Sequence, residues 1–209
     1  MRRLTKAVVS ALVGVALVSL AACGDSGSDD TAGPTPAATT RTYVGSAQGT
    51  AALVAVVVDG SRALAYVCDG VPGDPLGTTP AVQAWFNGQS DGTTVNVTQA
   101  AGQLQLRLTD TDMSGTLTLA DGRVMQVSGR TVSGDAGLYR AEATGSDAKA
   151  VAGWILAADG QQRGGVGGEG SLPKLSATKV LTLSQPTFSL QGLATARIAK
   201  VGITPIPIP

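Results

Sequence analysis

The chain has 209 residues, with 15 Lys and Arg balanced by 15 Asp and Glu and no histidine. Scattered bases at zero net charge offer neither the basic patch that nucleic acid calls for nor a polybasic run for anionic lipid. The missing histidine removes the usual general base, the Ser-His and Cys-His arrangements and every zinc site that uses imidazole, while lysine-assisted or paired-carboxylate catalysis survives.

The first element is a leader. Arg2, Arg3 and Lys6 precede an apolar run from Ala7 to Ala22. As a helix that run spans ~24 Å, short of the roughly 20 residues a bilayer crossing needs. A charged start, a short apolar run and small residues at its end mark a secretory signal peptide. Read alone, these residues also fit a leader with an incidental cysteine, or an uncleaved anchor. The segment Leu20-Ala21-Ala22-Cys23, followed by the small Gly24, resembles the lipobox of bacterial lipoprotein precursors. The resemblance covers Met1 to Gly24. It implies that residues 1–22 are removed, that Cys23 becomes the N-terminus, and that its sulfur carries a diacylglycerol. Two acyl chains hold a membrane stably where one holds marginally, so the resemblance implies a cell-membrane protein on the extracytoplasmic face. Loss of the leader takes three bases with it and leaves a slight excess of acids.

Residues 23–41 then read as the lipidated cysteine and a flexible linker. "GDSGSDDTAGPTPAATT" offers nothing to bury, and about 17 such residues span roughly 23 Å as a coil. Residues 42–168 read as a β domain and 169–209 as a partly ordered extension.

Within the β domain, short runs of Val, Leu, Thr and aromatics alternate with glycine-bearing turns, and several have period 2. In "QLQLRLTD" Leu104, Leu106 and Leu108 face one way and Gln103, Gln105 and Arg107 the other. "TTVNVTQ" and "GTLTLADG" repeat the scheme. "ALVAVVVD" is apolar at both parities, which predicts a central strand covered on both faces. Asp-Gly pairs at 59–60, 69–70, 91–92, 121–122 and 159–160 supply the positive φ that tight hairpins demand. About ten strands follow, at 42–47, 51–59, 62–69, 82–88, 93–99, 103–110, 114–120, 123–131, 137–144 and 151–158. Short links make them an antiparallel meander, and edge protection requires that it close into a barrel or fold into a two-sheet sandwich. The proline-bearing stretch from Asp69 to Pro80 is the one long loop. "QRGGVGGEG" reads as a flexible end to the domain. The tail has β signals at 178–183 and 187–193, where Val180, Leu181, Leu183, Phe188 and Leu190 call for burial, and closes on "GITPIPIP", which favours polyproline II.

The runs "YVGSAQGTAALVAVVVDGSRALAYVCDG", "WFNG", "GDAGLYRAEA" and "GWILAADGQQRGG" together resemble an uncharacterised β domain of actinobacterial lipoproteins and exported proteins. That resemblance covers about residues 43–166 and implies no activity or catalytic residue.

Few side chains stand out as site candidates. Trp85 and Phe86 are adjacent, so in a strand they face opposite ways. One fills the core and the other meets solvent, an end opening, a ligand or a partner. Trp154 points inward and Ile155 to the other face. A lipidated Cys23 could not pair with Cys68, which reads as a small buried hydrophobe. Asp110 and Asp112 sit two apart in a connector but lack the spacing of an EF-hand, and no metal or other cofactor is expected. Asn96-Val97-Thr98 fits a glycan acceptor by chance. A cleft joining Asp74, Asp110, Asp112 and Arg62 would be needed to revive an enzyme. The expectation is therefore not an enzyme but a membrane-tethered binding or interaction module, with an envelope protein or an apolar ligand as partner and no nucleic acid. The alternative is a carrier holding a lipid or other apolar molecule inside a barrel.

Overall fold

A computed structural model of the chain describes residues 39–73, 79–169, 175–190 and 193–202. Leu20, Ala21, Ala22, Cys23 and Gly24, the linker as far as residue 38, and Asp74 lie outside the described residues. So does most of "GITPIPIP".

The described residues are all β. The first eight strands are β1 (Thr40–Ala47), β2 (Leu53–Asp59), β3 (Arg62–Cys68), β4 (Gln83–Gln89), β5 (Thr94–Gln99), β6 (Gly102–Leu108), β7 (Asp112–Leu119) and β8 (Val124–Thr131). Each pairs antiparallel with its neighbour in the order β4-β3-β2-β1-β8-β7-β6-β5. The pairing of β1 with β8, Gly45 opposite Gly129, rolls the meander over, and a bridge between Ser90 and Val95 brings its two edges together. The result is a nearly closed eight-stranded barrel. Of barrel and sandwich, the barrel is the form present, and two glycines meet at its seam. A Cβ on Gly45 would stand 1.9 Å from the Ser128 carbonyl oxygen.

Period-2 strands line the barrel. Leu104, Leu106, Leu108, Val95, Val97, Leu117, Leu119, Met125 and Val127 join Tyr43, Val54, Val56, Val67 and Phe86 in one interior apolar cluster. Outside β5 to β8 the side chains are mostly polar, with exposed Val124 at the start of β8 as the apolar exception. Asn96, Gln105, Thr116 and Gln126 stand in one row across four strands. One end of the barrel is stoppered: the Tyr43 hydroxyl donates to the Thr109 carbonyl at 2.7 Å, and Arg41, two residues earlier on the same face, pairs with Asp110 at 3.0 Å and donates to the Gly92 carbonyl.

Strands β2 and β3 break the alternation. Val54 to Val58 and Ala63 to Cys68 are buried without interruption, because their outward side chains are covered too. The cover is a second antiparallel sheet built from β9 (Gly137–Thr144), β10 (Lys149–Leu156), β11 (Gln162–Glu169), β12 (Leu175–Ala177) and β15 (Ala199–Lys200), in the order β12-β11-β10-β9-β15. Val44, Ala55, Val57, Leu64, Tyr66 and Cys68 of the barrel meet Leu138, Ile155 and Val201 of this layer. The sheet's far face carries Tyr139, Ala141, Ala152, Trp154 and Val166, covered in turn by Leu181, Phe188 and Ile198. Those last residues come from the C-terminal segments, which include a small hairpin of β13 (Thr187–Phe188) and β14 (Ala196–Arg197).

Two sequence expectations need correction. The glycine run is strand β11, paired with β10 over its whole length. Glycine marks a close approach there rather than a loose end: a Cβ on Gly165 would lie 2.2 Å from Gln83 Oε1, and one on Gly164 2.6 Å from the Gly153 carbonyl oxygen. In the tail, the signal at 178–183 is not a strand. Leu181 and Phe188 are buried, but Val180 and Leu183 remain 57% and 39% exposed. The segment is held by side-chain bonds to Gln162 rather than by a ladder, so only some of its apolar residues turn inward.

Gly153 is a tight point between the layers, where a Cβ would stand 2.6 Å from Trp85 and 2.7 Å from Tyr66. Gly153→Val should therefore lower stability by about 2–3 kcal/mol through overpacking. Gly202→Ala, which meets nothing within 4 Å, should change it by less than about 0.5 kcal/mol. Urea unfolding of the two variants checks both.

Candidate functional site

A concavity among the described residues lies on the outer side of the second sheet. Its position is set by three anchors. The Trp154 indole N–H donates to the Lys179 carbonyl at 2.8 Å. The Gln162 side chain clasps Leu181 from both sides, its amide donating to the carbonyl at 3.2 Å and its oxygen accepting the N–H at 2.9 Å. The β13–β14 hairpin brings Phe188 edge-on to Trp154, with centroids 5.7 Å apart and planes at 78°, a favoured aromatic geometry. Between these anchors lies an open cleft of about 260 Å³. Buried Trp154, Phe188 and Ile198 form its floor, and exposed Thr182, Gln185, Thr187 and Ser189 its walls. Lys179 and Val180 stand at its lip. No carboxylate lines it.

A second polar group is locked inside the layer interface. Trp85 stacks on Tyr66 at 4.2 Å, and the Arg140 guanidinium lies 5.4 Å from the Trp85 ring centroid. Arg140 is almost wholly buried and pairs with Glu142, whose other oxygen is 3.5 Å from Lys149. Burial pulls the Arg140 pKa down, and the Glu142 carboxylate opposes that shift. Tyr66 and Cys68 lie deeper. Burial raises the Tyr66 pKa strongly and pushes the Cys68 thiol up to about 11, against hydrogen bonds from Tyr66 and the Gly70 amide that lower it. The group binds the layers together and gives no reactive thiol or phenol at neutral pH.

The sequence candidates fall as follows. Phe86 is inside the barrel, and Trp85 is half-buried against the second sheet rather than turned to solvent. The second layer, absent from the sequence reading of this strand, is the reason. Trp154 and Ile155 do take opposite faces of β10, and Cys68 is a buried free thiol. Asp110 serves Arg41, Asp112 lies 3.6 Å from Arg130, and Arg62 lies 3.5 Å from Asp59. None of the three lines the outer cleft. Among the described residues no three acids or cysteines gather as metal ligands. Asn96 is an exposed rung of the polar row. The cleft itself was missed because its residues come from a strand, an irregular segment and a short hairpin that only the fold brings together. Their one sequence signal is "TFSL", where Thr187 and Ser189 flank an inward Phe188. No family model, curated protein or solved structure matches the chain.

Two outcomes follow from the interface. Cys68 should resist alkylation in the native protein at pH 8, where a pKa of about 11 leaves roughly one thiolate in a thousand, and react fully in urea; mass shift with iodoacetamide reads this out. Glu142→Gln should cost about 1.5–3 kcal/mol by stripping a charged partner from buried Arg140. Lys149→Gln, at the solvent-facing end, should cost under about 1 kcal/mol. Chemical denaturation distinguishes them.

Proposed function

We propose that this chain is an extracytoplasmic lipoprotein, tethered through a diacylglyceryl Cys23, whose β domain is a non-catalytic binding or interaction module. The tether is supported by the leader Arg2 to Ala22 ending on Leu20-Ala21-Ala22-Cys23-Gly24. The observation that carries the module reading is the distribution of side chains. All eight barrel strands send apolar groups into one continuous interior cluster, while the mixed polar and apolar concavity is on the outside, against the C-terminal segments. Recognition thus belongs to the outer surface. A carrier would need the barrel interior for its cargo, and Phe86, Tyr43, Met113 and Leu117 already meet there. The absence of histidine and the separate ion pairing of Asp110, Asp112 and Arg62 support a role without catalysis.

The full gene product expressed in a bacterium with lipoprotein processing tests this. Intact-mass analysis should find a chain beginning at Cys23 and carrying diacylglycerol, and Cys23→Ser should leave the leader attached or release an unlipidated product. An unmodified thiol at position 23, or a start elsewhere, would overturn the tether. Native mass spectrometry that finds one apolar molecule per barrel would replace the module with the carrier.

A further inference from the structure

We infer that the cleft between Lys179 and Ser189 binds a hexuronic acid ring, free or as the terminal unit of an acidic polysaccharide. This deepens the binding-module reading at one site, and does not require the tether. The inference comes from matching the lining to a ligand. The cleft of about 260 Å³ is smaller than the 300–1,000 Å³ typical of sites for drug-sized ligands. That size suits a single ring better than a long acyl chain. Its floor is apolar, formed where the edge-to-face pair Trp154 and Phe188 meets Ile198, and suits the C–H face of a sugar. The walls carry three hydroxyls and one carboxamide, from Thr182, Thr187, Ser189 and Gln185. Such groups both donate and accept, as ring hydroxyls require. Plain aliphatic ligands would leave most of these groups without partners. Among the described lining residues Lys179 is the one with a charged side chain, and none is a carboxylate that would neutralise it. A neutral sugar leaves that charge unused, whereas a sugar carboxylate meets it as a charge-assisted hydrogen bond.

The cleft contains its own reporter. The Trp154 indole N–H donates to the carbonyl of Lys179 itself, so its NMR signal responds when a ligand engages that residue. The other tryptophan, Trp85, lies at the layer interface and serves as an internal control. The full chain in mild detergent, labelled with nitrogen-15, is titrated with glucuronate, glucose and a short oligogalacturonate. The expected result is a saturable shift of the Trp154 indole signal with glucuronate at millimolar concentration, at least tenfold weaker binding of glucose, and an unmoved Trp85 signal. Lys179→Gln, an exposed change, should weaken glucuronate about tenfold and leave glucose unchanged. Saturation by the oligomer alone would also support the site and assign it to polymer ends. Equal binding of glucuronate and glucose, indifference to Lys179→Gln, or no saturable shift with any of the three would overturn the proposal. None of these outcomes depends on the mass of the N-terminus, so the cleft and the tether can fail separately.

Discussion

The structure depends on the two-sided burial of β2 and β3. A barrel strand normally needs apolar residues on its inner face alone. Here Val54 to Val58 and Ala63 to Cys68 are buried at every position, and at about 25 cal/mol per Å² of apolar surface a bare outer face would be a costly exposure. The second sheet removes that exposure. It lays Leu138 and Ile155 over Val44, Ala55, Val57 and Leu64. A single sheet so placed has its own far face to cover, and the C-terminal segments do so with Leu181, Phe188 and Ile198. Each layer exists because the one beneath it is apolar on both sides.

Close packing of these layers needs small residues where large ones enter. Tyr66 and Trp85 project from the barrel as a stacked pair, and Gly153 gives them room. Gln83 likewise enters beside Gly165. Arg140 then covers the Trp85 ring and is neutralised by Glu142, so a guanidinium in the interface has both a π face and a carboxylate. On the opposite side of the barrel none of this is needed. Strands β5 to β8 face outward mainly with Thr, Asn, Gln, Ser and Arg, with Val124 the apolar exception, and among the described residues no layer covers them.

The legible part of the fold was the part governed by local alternation. Leu104, Leu106 and Leu108 announced their own face, and the strands from β1 to β10 fall within a few residues of the runs that predict them. "ALVAVVVD" announced that something must lie over it, although not what. The Asp-Gly turns gave the hairpins, with Gly60, Gly92, Gly122 and Gly160 at φ of 56°, 87°, 85° and 85°. The pair at Asp69-Gly70 is the exception. It is no hairpin tip: the Gly70 carbonyl accepts the Gly164 N–H at 2.9 Å. What alternation could not convey was long-range packing. Gly164 and Gly165 looked like punctuation because their neighbours, Thr178, Gln83 and Pro80, are distant in sequence. Which of Trp85 and Phe86 turned outward was open because the cover of Trp85 comes from Arg140 and Gly153, more than fifty positions away. The cleft was invisible for the same reason, being assembled from a strand residue, an irregular segment and a two-residue hairpin.

The account makes the second sheet an obligatory cover for the barrel rather than an appended layer. Native-state hydrogen exchange tests that most directly. The amides of β2 and β3 should be among the slowest in the molecule, and those of β9 and β10 should open with them, at the free energy of global unfolding. Exchange of β9 and β10 at a free energy several kcal/mol lower, with β2 and β3 still protected, would mean that the barrel stands without its cover and would contradict the account.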